Sequence, residues 1–266
     1  MDEERLPGGR SFGAVRVGDE VRRPGQPWTA TVHTVLSHLR AADFAGAPRP
    51  LGFDDQGRER LTFLPGRTLG ETGPWPEWVR SDDALRQVGA WLRGLHDATA
   101  GFRPAADAVW FTGRPWQPGL LIGHLDASPW NAVWDGGDLV GFIDWETAGP
   151  ARREDDLAFS ALTWVPLLTA EIAEPAGFAD PADRHRRLHL FLDAYGYAGD
   201  RTAVRDAIIG RVERNVAVIR QLADGGEPTF RRMLPWADGL ERSGGEVAGL
   251  PDEFWQPATA TGPRPG

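Results

Sequence analysis

The stretch GHLDASPWNAVW, residues 123–134, sets His124, Asp126 and Asn131 within eight positions. Ten residues beyond it, GFIDWE places Asp144 behind an apolar run, with Glu146 two positions later. Ionised carboxylates are costly in apolar surroundings unless they are paired or put to use. Phosphoryl transfer is a use that fits. It needs a carboxylate beside the attacking hydroxyl or amine, and oxygen ligands for a Mg²⁺ ion that bridges the phosphates. Asp126 supplies the first, Asn131 and Asp144 the second. The hairpin NAVWDGGDLV brings Asn131 and Asp144 to the same end of a two-stranded ribbon. Apolar flanks keep such a site dry, which strengthens every charge interaction in it.

Each of these residues also has a plainer reading. Asp126 and Asn131 are types that cap turns. His124, on a strand before a turn, reads as a structural histidine satisfied by hydrogen bonds. Glu146 is either a further carboxylate of the site or an exposed glutamate. Trp130 and Trp145 flank the cluster, as walls of a substrate pocket or as core. His96, at a helix end in GLHDAT, suits the negative end of the helix dipole and reads as structural. A metallohydrolase built on His124 and Asp126 would need more histidines, and only His96 lies within thirty residues of His124.

The elements that must hold these residues divide the chain in two. In residues 1–66, SFGAVRVGDEVRRP predicts a hairpin of Ala14 to Val17 and Glu20 to Arg23 about Gly18-Asp19. Glycines in LPGGRSFG suit close backbone approach. TATVHTVLSHLRAADF predicts a helix burying Val32, Val35, Leu36 and Leu39, with Thr29 or Thr31 as cap. Two strands follow, in RPLGFDD and RERLTFLPG. The expectation is a small α+β lobe over 1–66 and a larger, mainly helical lobe over 67–266. In the second, SDDALRQVGAWLRGLHDAT begins at a Ser81 N-cap and lines up Leu85, Val88, Trp91, Leu92 and Leu95. Short strands follow in GLLIGHLD and LVGFIDW. The remaining helices are expected in DDLAFSALTWVPLL, around Leu188 to Tyr195, and in AVRDAIIGRVERNVAVIRQL.

Composition narrows the partners. With 41% hydrophobic and 25% charged residues, the 266-residue chain is of ordinary globular type. It has no cysteine, so disulfides, thiolate metal sites and cysteine nucleophiles are excluded. All 29 basic residues are arginine, so any task usually given to lysine falls to arginine. The net charge of −9 argues against nucleic acid. Residues 1–66 hold nine arginines and nine acids, so the whole −9 falls on residues 67–266. That imbalance would attract a cationic small molecule or simply reflect solvated acidic faces. No 18-residue apolar run and no leader-like N-terminus is present, so no membrane span and a cytoplasmic location are expected. Oligomeric state is left open.

His124-x-Asp126-x-x-x-x-Asn131, followed by Ile143-Asp144 and Asp156-Leu157-Ala158, resembles the catalytic segment of aminoglycoside phosphotransferases. That superfamily includes choline and homoserine kinases and has a two-lobed, protein-kinase-like fold. The resemblance runs from about Gly8 to about residue 240. VRRPGQPWTATVH with LGFDDQGRERLTFLPG is similar to a bacterial subgroup that includes trifolitoxin immunity proteins. The resemblance implies ATP or GTP as phosphoryl donor, Mg²⁺ as cofactor and a small, cationic or amino-bearing acceptor. It makes Asp126 the catalytic base or substrate-orienting carboxylate, and Asn131 and Asp144 the Mg²⁺ ligands. His124 then holds the loop, and Asp156 fixes its backbone from a helix start. Gly9 of the glycine loop, Arg22 of the second strand, and Thr62 and Leu64 at the hinge would meet the nucleotide. Family members pair a strand lysine with a helix glutamate to hold phosphate. Here the strand offers Arg22 and Arg23, with Arg22 the better positional match. The helix has no acid between Thr29 and Arg40, and His33 or Val32 stands in the expected place. A non-catalytic, kinase-shaped binding or immunity protein is the alternative these departures raise.

Overall fold

The computed structural model describes residues 3–6, 13–69, 74–178 and 180–257. Its first part is a five-stranded, wholly antiparallel sheet. The strands are β1 (Glu4–Arg5), β2 (Val15–Val17), β3 (Glu20–Pro24), β4 (Pro50–Phe53) and β5 (Arg58–Thr62), in the order β1-β2-β3-β5-β4. The expected hairpin is present, with Val17 opposite Glu20. Helix α1 (Thr29–Ala41) buries Val32, Val35, Leu36 and Leu39. Its N-cap is Trp28 rather than a threonine, and the Thr29 hydroxyl instead accepts from the Gln26 N–H at 2.9 Å.

Strand alternation decides which side chains of this lobe reach the rest of the molecule. β3 pairs with β5 so that Val21 faces Leu61 and Arg23 faces Glu59. Leu61 and Glu59 are both buried, so Arg23 belongs to the inner face. Arg22 lies opposite Arg60 on the other face, where it meets Glu20 and Asp54.

The second part is mostly helical. After α2 (Asp82–Thr99) come α3 (Arg153–Trp164), α4 (Ala170–Ala173), α5 (Asp183–Tyr195), α6 (Thr202–Asp224), α7 (Pro228–Arg232) and α8 (Leu234–Ala248). Ser81 caps α2, its hydroxyl accepting from the Ala84 N–H at 3.1 Å. Leu85, Val88, Trp91, Leu92 and Leu95 of α2 are all buried, as their spacing requires. Between α2 and α3 lie four short strands in two pairs: β6 (Leu121–Gly123) with β9 (Gly149–Ala151), and β7 (Ala132–Asp135) with β8 (Asp138–Phe142). β9 and α8 were not anticipated. β9 is Gly-Pro-Ala, without strand propensity, and exists because β6 pairs with it. α8 carries Pro235 in its first turn and an internal Gly244-Gly245, so local propensity hides it. Gly244 lets α8 approach α6 closely, for a Cβ there would lie 2.9 Å from Val212.

The two parts are stitched near the connector. Arg67 exchanges two backbone hydrogen bonds with Trp134 of β7, at 2.8 and 2.9 Å. Gly66 makes this possible: at φ +142° any Cβ would sit 2.6 Å from the Trp134 carbonyl oxygen. One continuous core includes residues of both parts, with Trp134, Trp145, Trp164 and Trp255 among its fully buried side chains. Among the described residues no helix is long and apolar enough to cross a membrane.

Candidate active site

The residues of the 124–131 segment are held from behind by Asp156. This buried aspartate sits in the first turn of α3 and accepts from the N–H groups of His124 (3.0 Å) and Leu125 (2.5 Å). Its Oδ2 also meets His96 Nε2 at 2.8 Å, and His96 Nδ1 meets the Tyr195 hydroxyl at 2.8 Å. Burial alone would raise the Asp156 pKa; the bond from His96 and the backbone bonds outweigh it and hold the carboxyl below its usual range. His96 thus joins α2 and α5 to the loop, a link that its helix-end position gave no sign of. Gly123 leaves the room needed, since a Cβ there would fall 2.6 Å from the Asp156 carboxyl carbon.

His124 is fully buried, and both ring nitrogens are engaged. Nδ1 accepts from the Asp126 N–H at 3.3 Å, so Nε2 carries the proton and donates to the Ile143 carbonyl at 3.1 Å. Burial lowers its pKa, consistent with a neutral ring. Trp145 packs on that ring at 4.7 Å between centroids and is itself completely buried, so it is core rather than a pocket wall. Trp130 is partly exposed and stands beside Phe159 and Trp236. Arg211 of α6 adds a bond to the Leu125 carbonyl at 2.7 Å and lies over the Phe159 ring. Nothing in the sequence tied Arg211 to this loop, eighty-six positions away.

At the front of the loop, Asn131 Nδ2 donates to Asp126 Oδ2 (2.9 Å) and to the Asp126 carbonyl (3.0 Å). The amide oxygen of Asn131 is thereby directed away from Asp126. Asp126 Oδ1 is buried without a hydrogen-bond partner. Burial, with a smaller contribution from the Asp144 charge and against the opposing pull of Arg211, pushes the Asp126 pKa up to about 7. Asp144 stands one residue past the Ile143 N–H, which bonds the Asn131 carbonyl at 2.9 Å, so hairpin register sets Asn131 and Asp144 at one end of the ribbon. Leu125 (φ 63°) and Asp144 (φ 64°) both adopt left-handed backbone, a cost of about 1–3 kcal/mol each that the surrounding bonds sustain.

The first lobe contributes Arg23, not Arg22. Arg23 Nη1 bonds Asp144 Oδ1 at 2.8 Å and lies 3.9 Å from Glu146, while its Nε is bonded to Glu59. Arg22, proposed from the sequence, lies on the other face, because a one-residue step on β3 moves a side chain to the opposite face. Glu146 is largely buried and lies beside Arg23 and Asp144, so it belongs to the carboxylate cluster and is not a solvated glutamate; burial first, then the Asp144 charge, raises its pKa. Thr62 is engaged with the neighbouring strand. Its N–H donates to the Arg49 carbonyl and its hydroxyl accepts from the Arg49 N–H, so these groups are consumed by the β4 edge. Leu64 lies just beyond the end of β5. Gly9 and most of LPGGRSFG lie outside the described residues.

The donor set suits Mg²⁺. It is all oxygen, with one carboxylate (Asp144) and one amide (Asn131). Among the described residues no group of three or more His, Cys, Asp or Glu side chains is arranged to hold a metal by itself. Mg²⁺ commonly takes only one or two carboxylates and completes its shell with water and substrate phosphates.

The fold is of the two-lobed, protein-kinase-like type. A choline/ethanolamine kinase family protein from Mesorhizobium loti superimposes with TM-score 0.62 at 19% identity, over 96% of this chain and 90% of that one. Amicoumacin kinase in complex with AMP-PNP, Ca²⁺ and amicoumacin gives 0.64 at 11% identity, over 90% and 89%. Residues 105–191, which include the whole 124–156 cluster, match the phosphotransferase enzyme family APH. The chain is 42% identical over 200 residues to the trifolitoxin immunity protein of Rhizobium leguminosarum bv. trifolii, covering 73% of this chain and 74% of that protein. It belongs to the APH phosphotransferase family, alongside that immunity protein.

Proposed function

We propose that this protein is a Mg²⁺-dependent phosphotransferase that moves the γ-phosphoryl group of ATP or GTP to a hydroxyl of a small, amino-bearing molecule. The observation that carries the reading is the Asp126–Asn131 pair: a buried carboxylate with one oxygen tied to an amide and the other unpartnered. Oδ1 of Asp126 orients the acceptor hydroxyl and takes its proton. A base whose pKa lies near neutrality is well matched to that task. Asn131, through its amide oxygen, and Asp144 would hold the cation, which would supply charge neutralisation of the nucleotide phosphates. Arg23 approaches the same phosphates from the sheet, and its guanidinium is suited to two-point contact with their oxygens. His124, Asp156, His96 and Arg211 keep the loop in place while nucleotide enters and leaves. The acidic balance of residues 67–266 favours a cationic acceptor. In this reading residues 1–66 form the nucleotide lobe, residues 67–266 the catalytic and acceptor lobe, and the protein works in the cytoplasm, where nucleotide is abundant.

A second reading is a kinase-shaped protein that protects by binding. It is favoured by the immunity protein to which the chain is 42% identical. The Arg23–Asp144 contact also supports it, since a guanidinium on the carboxylate lowers what that carboxylate offers a divalent ion. The experiment that separates the two measures melting temperature with and without Mg-ATP and Mg-GTP, then phosphate transfer across aminoglycosides, choline-like amines, amino acids, sugars and nucleosides. Metal-dependent stabilisation together with transfer that vanishes in Asp126→Ala supports the enzyme. No stabilisation at millimolar nucleotide removes it and leaves the binder. Resistance to an antibiotic on expression would identify the acceptor class.

A further inference from the structure

Arg23 reaches the site because of what stands behind it, and that support comes from an unexpected place. Glu59 is 2% exposed and lies directly across the strand pair from Arg23. One of its carboxyl oxygens is bonded to Arg23 Nε; the other meets His33 Nε2 of α1 at 3.1 Å. The His33 ring is stacked on Phe53 of β4, with centroids 5.2 Å apart, so it cannot swing away freely. With the Nε edge of Arg23 tied to Glu59, its Nη1 is the end presented to Asp144, at 2.8 Å. A carboxylate this deeply buried is costly unless fully partnered. Here Arg23 and His33 account for both oxygens, and their pull outweighs the effect of burial and keeps the Glu59 pKa below its ordinary value.

We infer that Glu59, braced by His33, is the positioning carboxylate for Arg23: a strand acid with a helix histidine behind it does the work of holding the phosphate-binding cation. The inference rests on the phosphotransferase reading and deepens it. It explains why α1 can lack an acid. The helix still reports to the cation, but through the His33 ring and a carboxylate on β5. A side chain on β3, one on β5 and one on α1 therefore fix a single guanidinium, and displacement of α1 would release it.

The test uses the full-length protein and calorimetric affinities for two probes, Mg-ATP and adenosine, with Mg-GTP and guanosine as the parallel pair. Adenosine has no phosphate, so it reads the integrity of the base site alone. Glu59→Gln, which keeps the shape of the side chain, is expected to weaken Mg-ATP binding about tenfold and leave adenosine unchanged. The double variant Glu59→Gln with His33→Glu moves the acid onto the helix and is expected to recover Mg-ATP affinity to within about threefold of the parent. If Glu59→Gln melts too low to assay, His33→Gln, which retains the acid, replaces it with an expected loss of about threefold. Equal Mg-ATP affinity in parent and Glu59→Gln overturns the inference while leaving the kinase reading intact. So does a loss that falls on Mg-ATP and adenosine alike, because that is damage to the lobe. A parent that binds neither nucleotide overturns the kinase reading itself, and this inference with it.

Discussion

The two groups of residues that meet at Asp144 are built by different means. On the helical side, the chemistry-bearing residues of the loop, Asp126 and Asn131, are five positions apart, and Asp144 follows across a hairpin. On the sheet side, Arg23, Glu59 and His33 come from β3, β5 and α1, and of these Arg23 bonds Asp144, 121 positions away. The first arrangement is held by short loops and by buried anchors behind them, Asp156, His124 and Arg211. The second is held by strand register and by a chain of three charged or polar side chains. The difference teaches that a loop whose groups lie close in sequence can set their geometry locally. A cation delivered from a sheet can be braced by whichever neighbouring element offers a carboxylate.

The largest effects should fall on the helical side. Asp126→Ala is expected to cut phosphoryl transfer by about 10²–10⁴-fold with the melting temperature near that of the parent, as seen by coupled assay and thermal scan. Unchanged transfer would remove the loop from the chemistry altogether. Asp156→Ala should instead act on the fold. It leaves the N–H groups of His124 and Leu125 and the His96 ring without their buried partner, and about 3–5 kcal/mol of stability should be lost in urea unfolding. A loss below about 1 kcal/mol would mean the loop is anchored elsewhere.

The sheet side should respond more mildly and through nucleotide. Arg23→Ala is expected to raise the nucleotide KM about tenfold or more, whereas Arg22→Ala, on the opposite face, should leave it within about twofold. The reverse ranking would show that the strand parity does not govern the site. The smallest effect concerns pH and Asp155, beside the Asp156 anchor. Burial pushes its pKa up, but bonds from Arg152 and Arg114 win and hold it at about 2, against an ordinary value of 3.8. A depressed folded-state value means stability that is present above the unfolded pKa and lost as pH falls through the folded one. The parent should therefore lose on the order of 1–2 kcal/mol between about pH 4 and pH 2 that Asp155→Asn does not lose over the same interval. Parallel curves for the two proteins would place no depressed carboxyl at this position.

Much of this molecule was legible before any coordinates. The apolar periods of α1 and α2 predicted their buried faces residue by residue. The hairpin that carries Asn131 and Asp144 was legible from a Gly-Gly turn between two strand-like runs. The spacing of His124, Asp126 and Asn131 singled out the loop, and Asp156 is bonded to its backbone. Elements without propensity of their own were not legible. β9 is a strand only because β6 lies beside it, and α8 is a helix only because small residues let it settle on α6.

Local order in the chain thus determined the sheet-plus-helix architecture, the candidate loop and the types of group it carries, because periodicity, turn chemistry and short spacings act between near neighbours. Long-range pairing decided the rest. Whether Arg22 or Arg23 reaches Asp144 depends on which face of β3 lies against the core, and the two arginines are chemically identical. A clue was present, since Val21 shares parity with Arg23 and Leu61 with Glu59, but it becomes decisive only once β3 and β5 are paired in register. Likewise Glu59, His33, His96 and Arg211 are ordinary side chains in sequence. They acquire roles because folding brings opposite charges and hydrogen-bonding partners from distant segments into a space with little water, where an unpartnered group would be too costly to keep.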